Sequence, residues 1–214
     1  LGVPEHFLAE GISSDVLENF RASLERWREQ GHTITTVTLP NVSYALACYY
    51  IIMPAEASSN LARYDGMRYG SRQAGPNLLA EYETTRGEGF GREVRRRILL
   101  GTYVLSAGYY DAYYGKALAV QELIKRDFVE AFKSVDVIAT PTAPTTAFRL
   151  GERAQDPLQM YLADVLTVPA NIAGLPGISL PSGRDSAGLP FGLQLIAPAW
   201  REDYLFALGR AFGA

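Results

Sequence analysis

Between Ser43 and Gly70 the chain reads SYALACYYIIMPAEASSNLARYDGMRYG, and its second half sets polar side chains close together: Glu56, Ser58, Ser59, Asn60, Arg63 and Asp65. They follow an uncharged apolar run, Tyr44 to Met53, which Pro54 is expected to stop. That run is too short to cross a bilayer, which takes about 20 residues, so it reads as core. The segment after it then reads as a loop of hydrogen-bonding side chains. A buried anchor that delivers such groups to an edge is one way to build the wall of a site. The plainer reading is a helix ending in a capped turn, and residue types alone favour it.

Other constellations fail one by one. The two histidines, His6 and His32, flank a predicted helix, and nothing brings them together with a nucleophile and a carboxylate. No CxxC, HExxH or carboxylate spacing marks a metal site, and neither GxSxG nor a phosphate-binding glycine loop is present. Ser58 and Ser59 lead into Asn60 and Leu61 rather than a glycine-rich oxyanion loop, so they read poorly as nucleophiles. The single cysteine, Cys48, excludes an internal disulfide and reads as a small buried hydrophobe.

With 214 residues, 48% hydrophobic, 20% charged and a net charge of -3, the chain suits one good core and argues against a generally basic nucleic-acid surface. No signal peptide or lipidation motif is visible, and a cytoplasmic location is expected. The chain opens on Leu1 with a strand-like LGVP, as a fragment or processed chain would.

The elements that must position any site follow from periodicity. Leu1 to Pro4 is a strand candidate. Ser13, Ser14 and Asp15 start a helix whose apolar face is Val16, Phe20, Leu24 and Trp27, and Gly31 ends it. Thr33 to Leu39 alternates like a strand closed by Pro40, which completes a βαβ unit and implies a parallel or mixed sheet. After the apolar anchor, Gly66 to Gly91 reads as a long surface loop with a helical turn near Leu78 to Tyr82. A helix is expected from Glu93 to Tyr114, burying Ile98, Tyr103, Leu105 and Tyr109, with Gly101 and Gly108 permitting close approach. Another runs from Lys116 to Phe132 on the stripe Ala117, Val120, Ile124, Phe128 and Phe132. Val135 to Thr140 is a buried strand, Pro157 to Val168 a helix, Gly177 to Pro181 and Phe191 to Ile196 two strands, and Glu202 to Phe212 a last amphipathic helix. The order is α/β, with about five strands and six helices.

Four words in register carry a resemblance over nearly the whole chain: PAEASSNLARYDG, RRRILLGTYVLSAGYYDAYY, TPTAP and PANIAGLPGISLPSG. In them the chain resembles the amidase signature family, in its branch of A subunits of glutamyl-tRNA(Gln)/aspartyl-tRNA(Asn) amidotransferases. The resemblance implies part of the amidase signature fold, a mixed β-sheet flanked by helices, incomplete in this chain and spanning residues 1–214 as the C-terminal part of one domain. It implies a serine amidohydrolase with a Ser nucleophile, a second Ser in a cis peptide and a Lys base, carried on a GGSSGGS-like word. That word is absent here, and Lys116, Lys125 and Lys133 match no catalytic lysine word. The expected catalytic set of this chain is therefore empty, and the chain alone is expected to be inactive.

What the resemblance leaves here is the substrate side. In the family the A subunit hydrolyses glutamine, and the ammonia amidates misacylated tRNA on the B subunit. The implied partners are glutamine, the B and C subunits, and tRNA indirectly through B, with no membrane. No cofactor is implied in this chain; ATP and Mg are expected on the partner subunit. Free glutamine is a zwitterion, so its pocket needs a cation for the α-carboxylate and an anion for the α-ammonium. The resemblance places these in the words RRRILLGTY and MYLADVLT, within which Arg97 and Asp164 are chosen, and Tyr49 or Tyr50, Tyr49 first, is expected to line the pocket. Arg97 is preferred to Arg95 because it adjoins the apolar face at Ile98. Asp164 lies between Ala163 and Val165, where an unpaired carboxylate would be costly if buried. Two alternatives remain open: part of a stand-alone amidase acting on other amides, and a non-catalytic association piece with uncovered apolar sheet edges.

Overall fold

Val16, Phe20, Leu24 and Trp27 are all buried, as their four-four-three spacing requires of a helix laid on a core. The computed structural model describes residues 1–152 and 157–213, with the side chains of all of these except 157–159. The described residues form two compact units, Leu1–Ala47 with Val120–Ala214, and Cys48–Ala119.

The first unit holds a five-stranded mixed sheet. Strand β1 (Gly2–Val3) leads into helix α1 (Ser14–Glu29), and β2 (Thr35–Thr36) returns parallel to β1, so the βαβ unit is present. Gly31 lies beyond the end of α1 at φ +90°, a left-handed conformation suited to glycine. The second strand is much shorter than Thr33 to Leu39. Val37 N still reaches Val3 O at 3.0 Å, but the chain beyond Pro4 turns into a 3₁₀ helix at Glu5–Phe7, so no further residue of the first strand faces β2.

The second unit opens on α2 (Ala45–Leu61), which runs through Pro54 as an interior residue. The expected stop at Pro54 and the loop over Ala55 to Asn60 are thus corrected: those polar groups sit on a helix. It is followed by α3 (Leu78–Gly89), a full helix rather than a single turn, whose N-cap Asn77 accepts from Ala80 N at 3.0 Å. Next, α4 (Arg92–Val104) is shorter than expected, and a π-helical turn, Tyr110–Gly115, leads directly into α5 (Lys116–Ala131). Gly108, at φ +84°, interrupts the single long helix that periodicity suggests. Tyr103 and Tyr109 are exposed at 52% and 38%, not buried. Their rings instead pack against each other at a tilt of 39°, centroids 4.3 Å apart.

Back in the first unit, β3 (Ile138–Pro141) lies parallel to β1. The expected single helix from Pro157 to Val168 is two short ones, α6 (Pro157–Leu162) and α7 (Val168–Ala173), divided by a turn. The antiparallel pair β4 (Gly177–Arg184) and β5 (Pro190–Ile196) and a last helix α8 (Glu202–Gly213) complete the chain. The strand order is β2-β1-β3-β5-β4. Residues of α1 and α8 join Leu180, Leu193, Leu195, Val137 and Ala139 in one core cluster. Ile138, Thr140 and Ile196 close a small gap with Leu39, Val42 and Phe128. The two edges are not the apolar strands expected of half a sheet: β2 is two exposed threonines, and β4 carries exposed Pro181.

Candidate functional site

In the second unit, α2 is buried along Cys48, Ile52 and Ala55, and Cys48 Sγ donates to Ala117 O at 3.0 Å. Its polar half meets α4 at very short range. A Cβ on Gly101 would stand 1.9 Å from Pro54 O, so glycine is required there. Ser58, expected to face a loop, is 9% exposed and shares a hydrogen bond of 2.9 Å with Thr102 Oγ1. That bond occupies its hydroxyl structurally.

Two polar features flank this contact. On the first, Arg97 is one-third exposed. Its Nε donates to Glu93 Oε1 at 2.9 Å, one helical turn earlier, and one terminal nitrogen points to Met53 Sδ at 3.7 Å. Burial works against its charge, but the Glu93 bond and the charges of Glu93, Tyr49 and Tyr50 outweigh it and raise its pKa. Arg97 is therefore a permanent cation, and among the described residues its other terminal nitrogen has no acceptor. Half-buried Tyr49 stands in this neighbourhood, its ring edge-on to Tyr50 at 5.1 Å. The structure thus brings Arg97 and Tyr49 together.

On the second, Glu56, Ser59, Asn60, Tyr110 and Tyr114 line a hollow of about 400 Å³ with Ala55 and Leu105. Burial first, then the charges of Glu56 and Tyr110, push the Tyr114 phenol above its ordinary pKa. The two tyrosines escape a reading of the sequence, which places them on a plain helix. Their only signal is the YYDAYY repeat at i and i+4.

Asp164 lies in the first unit, in the turn between α6 and α7. Its carbonyl oxygen accepts from Thr167 N at 3.1 Å, Val168 N at 3.0 Å and Thr167 Oγ1 at 3.1 Å. Its side chain is exposed, so the cost of an unpaired buried carboxylate does not arise. Among the described residues that carboxylate has no hydrogen-bond or ion-pair partner, which leaves it available to a cation.

A hollow of the first unit, about 540 Å³, gathers His32, Ser134 and Asp136. It is no triad: Ser134 Oγ donates to Ala131 O at 3.0 Å, and among the described residues no hydrogen bond joins the three. Among the described residues no group of three or more His, Cys, Asp or Glu could hold a metal, and no helix is long and apolar enough to cross a membrane.

The chain is 54% identical over 211 residues to a glutamyl-tRNA(Gln) amidotransferase A subunit of Maricaulis maris, covering 99% of this chain and 43% of that protein. It is 55% identical over 205 residues to the A subunit of the same name in Parvibaculum lavamentivorans, covering 96% and 42%. The crystal structure of the glutamyl-tRNA(Gln) amidotransferase A subunit of Thermotoga maritima matches with a TM-score of 0.69 at 40% identity, over 99% of this chain and 40% of that one. A crystal structure described as an amidase matches in fold at 24% identity, TM-score 0.74, over 98% and 44%. The chain thus spans less than half the length of the relatives it matches. Residues 1–206 match the amidase family, and the chain belongs to that family.

Proposed function

We propose that this chain is the glutamine-binding part of the A subunit of a tRNA-dependent amidotransferase. The observation that supports this most is the identity, above 50% over 96% or more of the chain, to proteins named as A subunits of glutamyl-tRNA(Gln) amidotransferase. In this reading Arg97 receives the α-carboxylate of glutamine through its open terminal nitrogen, while Glu93 and Met53 hold the guanidinium in place. Asp164 receives the α-ammonium, and Tyr49 lines the pocket. The serine nucleophile, the serine in a cis peptide and the lysine base belong to a part of the protein outside these 214 residues. The amide nitrogen leaves as ammonia and serves a B subunit, held with a C subunit, where tRNA is amidated and ATP and Mg are used. No residue of this chain is assigned to ATP, Mg or tRNA.

The test is steady-state glutamine hydrolysis by the full-length protein carrying Arg97→Ala. A charge-assisted hydrogen bond of about 1.5–3 kcal/mol corresponds to a rise in KM of roughly 10- to 150-fold. The urea midpoint should stay near that of the unsubstituted protein, because Arg97 is an exposed-side ion pair. An unchanged KM would remove Arg97 from the pocket.

A further inference from the structure

Gln194 sits in the middle of β5 at 6% exposure. Leu193 and Leu195 on either side belong to the apolar core. On the other face, Gln194 pairs with Thr140 and neighbours the Ile138–Ile196 pair. A primary amide buried there is costly unless its donors are satisfied. Both are: Nε2 donates to Thr140 Oγ1 at 2.9 Å and to Leu166 O at 2.9 Å.

The second bond reaches out of the sheet to the turn that carries Asp164, two residues before Leu166. The turn's backbone bonds are local: Asp164 N to Tyr161 O, Val165 N to Leu162 O, and Thr167 N to Asp164 O. Bonds of that kind shape a turn without fixing its place on the protein. Leu166 packs in the core beside Leu193 and Leu195, and Gln194 adds a directional hydrogen bond from the sheet to its carbonyl. Two further amides continue the pattern along α7, Asn171 Nδ2 to Thr167 O and Gln121 Nε2 to Ile172 O, each at 3.0 Å. A leucine at 194 would continue the apolar packing of its neighbours but would hold nothing. A satisfied buried amide specifies one arrangement of the groups it joins.

We infer that Gln194 is a positioning residue: it fastens the Asp164 turn to the sheet and so sets where that carboxylate stands for the ammonium group of the substrate. The inference rests on the proposed role of Asp164. Gln194 itself touches no substrate.

The experiment is a double-mutant cycle in glutamine hydrolysis by the full-length protein, with Gln194→Met, Asp164→Asn and the pair. Gln194→Met keeps the length of the side chain and removes both donors. The expected result is a KM raised about tenfold with kcat within about twofold, since loss of one aligned bond weakens binding by about that factor. Asp164→Asn should raise KM by at least as much, and the double variant no more than about twofold beyond Asp164→Asn, because Gln194 acts only through Asp164. A raised KM for Asp164→Asn beside an unchanged KM for Gln194→Met overturns the inference and leaves the pocket standing. Multiplying effects in the double variant overturn it too, since they mark a purely structural role. An unchanged KM for Asp164→Asn overturns the pocket assignment and the inference with it. Should Gln194→Met fail to fold, Gln194→Glu keeps the shape and an acceptor for Thr140 while facing Leu166 O with an oxygen. Its KM should rise as well, and an unchanged KM is again decisive against the role.

Discussion

Arg97 is one of four arginines between positions 92 and 97, and what separates it from the others is its company. Arg95 is exposed and Arg96 lies 3.7 Å from Glu93, whereas Arg97 is fixed between Glu93 and Met53 beside the two tyrosines. The sequence singles it out only by its place next to Ile98. Tyr114 is a second residue whose chemistry depends on its surroundings. Burial, Glu56 and Tyr110 hold its phenol above the ordinary value of about 10. In the range between that value and the raised one, the folded protein keeps a proton that the unfolded chain has released. The corresponding stability is therefore complete below about pH 10 and is lost as pH rises through the folded pKa. Tyr114→Phe removes this loss. Urea midpoints measured from about pH 9 to 11 should fall more steeply for the unsubstituted protein than for Tyr114→Phe. Parallel curves would contradict the burial of this phenol beside Glu56.

At the scale of elements, the joint between α2 and α4 decides where the polar groups of the second unit point. Pro54 removes one backbone donor from α2 and disfavours an interior helical position by about 3 kcal/mol. The helix nevertheless continues to Leu61. Contacts that are distant in sequence oppose that cost: Pro54 O abuts Gly101, Ser58 bonds Thr102, and the Arg86 guanidinium bonds Leu61 O at 3.2 Å at the end of α2. Gly101→Ala would force backbone apart, because the new methyl meets a carbonyl rather than a yielding side chain. We expect a loss of about 1–3 kcal/mol in urea unfolding. A loss below about 0.5 kcal/mol, the size of an ordinary surface substitution, would mean that the two helices do not meet so closely.

At the scale of the molecule, the first and last helices of the chain close the core of the first unit together. Trp27 is fully buried with the Phe212 ring 5.0 Å away, Arg26 lies over that ring, and Arg26 donates to Phe212 O at 3.0 Å. Phe212→Ala should therefore cost about 3–5 kcal/mol. Tryptophan fluorescence in urea would read it well, since Trp27 is buried and Trp200 is 89% exposed. A cost near that of a surface substitution would contradict the packing of α8 on α1.

The sequence by itself determined many of the element types and much of their order. The stripes Val16–Phe20–Leu24–Trp27 and Ala117–Ile124–Phe128, the βαβ start, and the strands around Gly177 and Phe191 all follow from local periodicity, which a burial gradient imposes residue by residue. The four words that carry the family resemblance were equally legible, and residues 1–206 match the amidase family. Only the tertiary structure decided that Pro54 lies inside a helix, that α4 ends at Val104, and that Tyr103 and Tyr109 pack ring against ring in the open. It alone decided that Gln194 reaches Leu166. Each of these depends on partners tens of residues away or on a turn conformation. Propensity and spacing report a residue's own neighbourhood, and carry no term for a carbonyl or ring brought in from elsewhere in the chain.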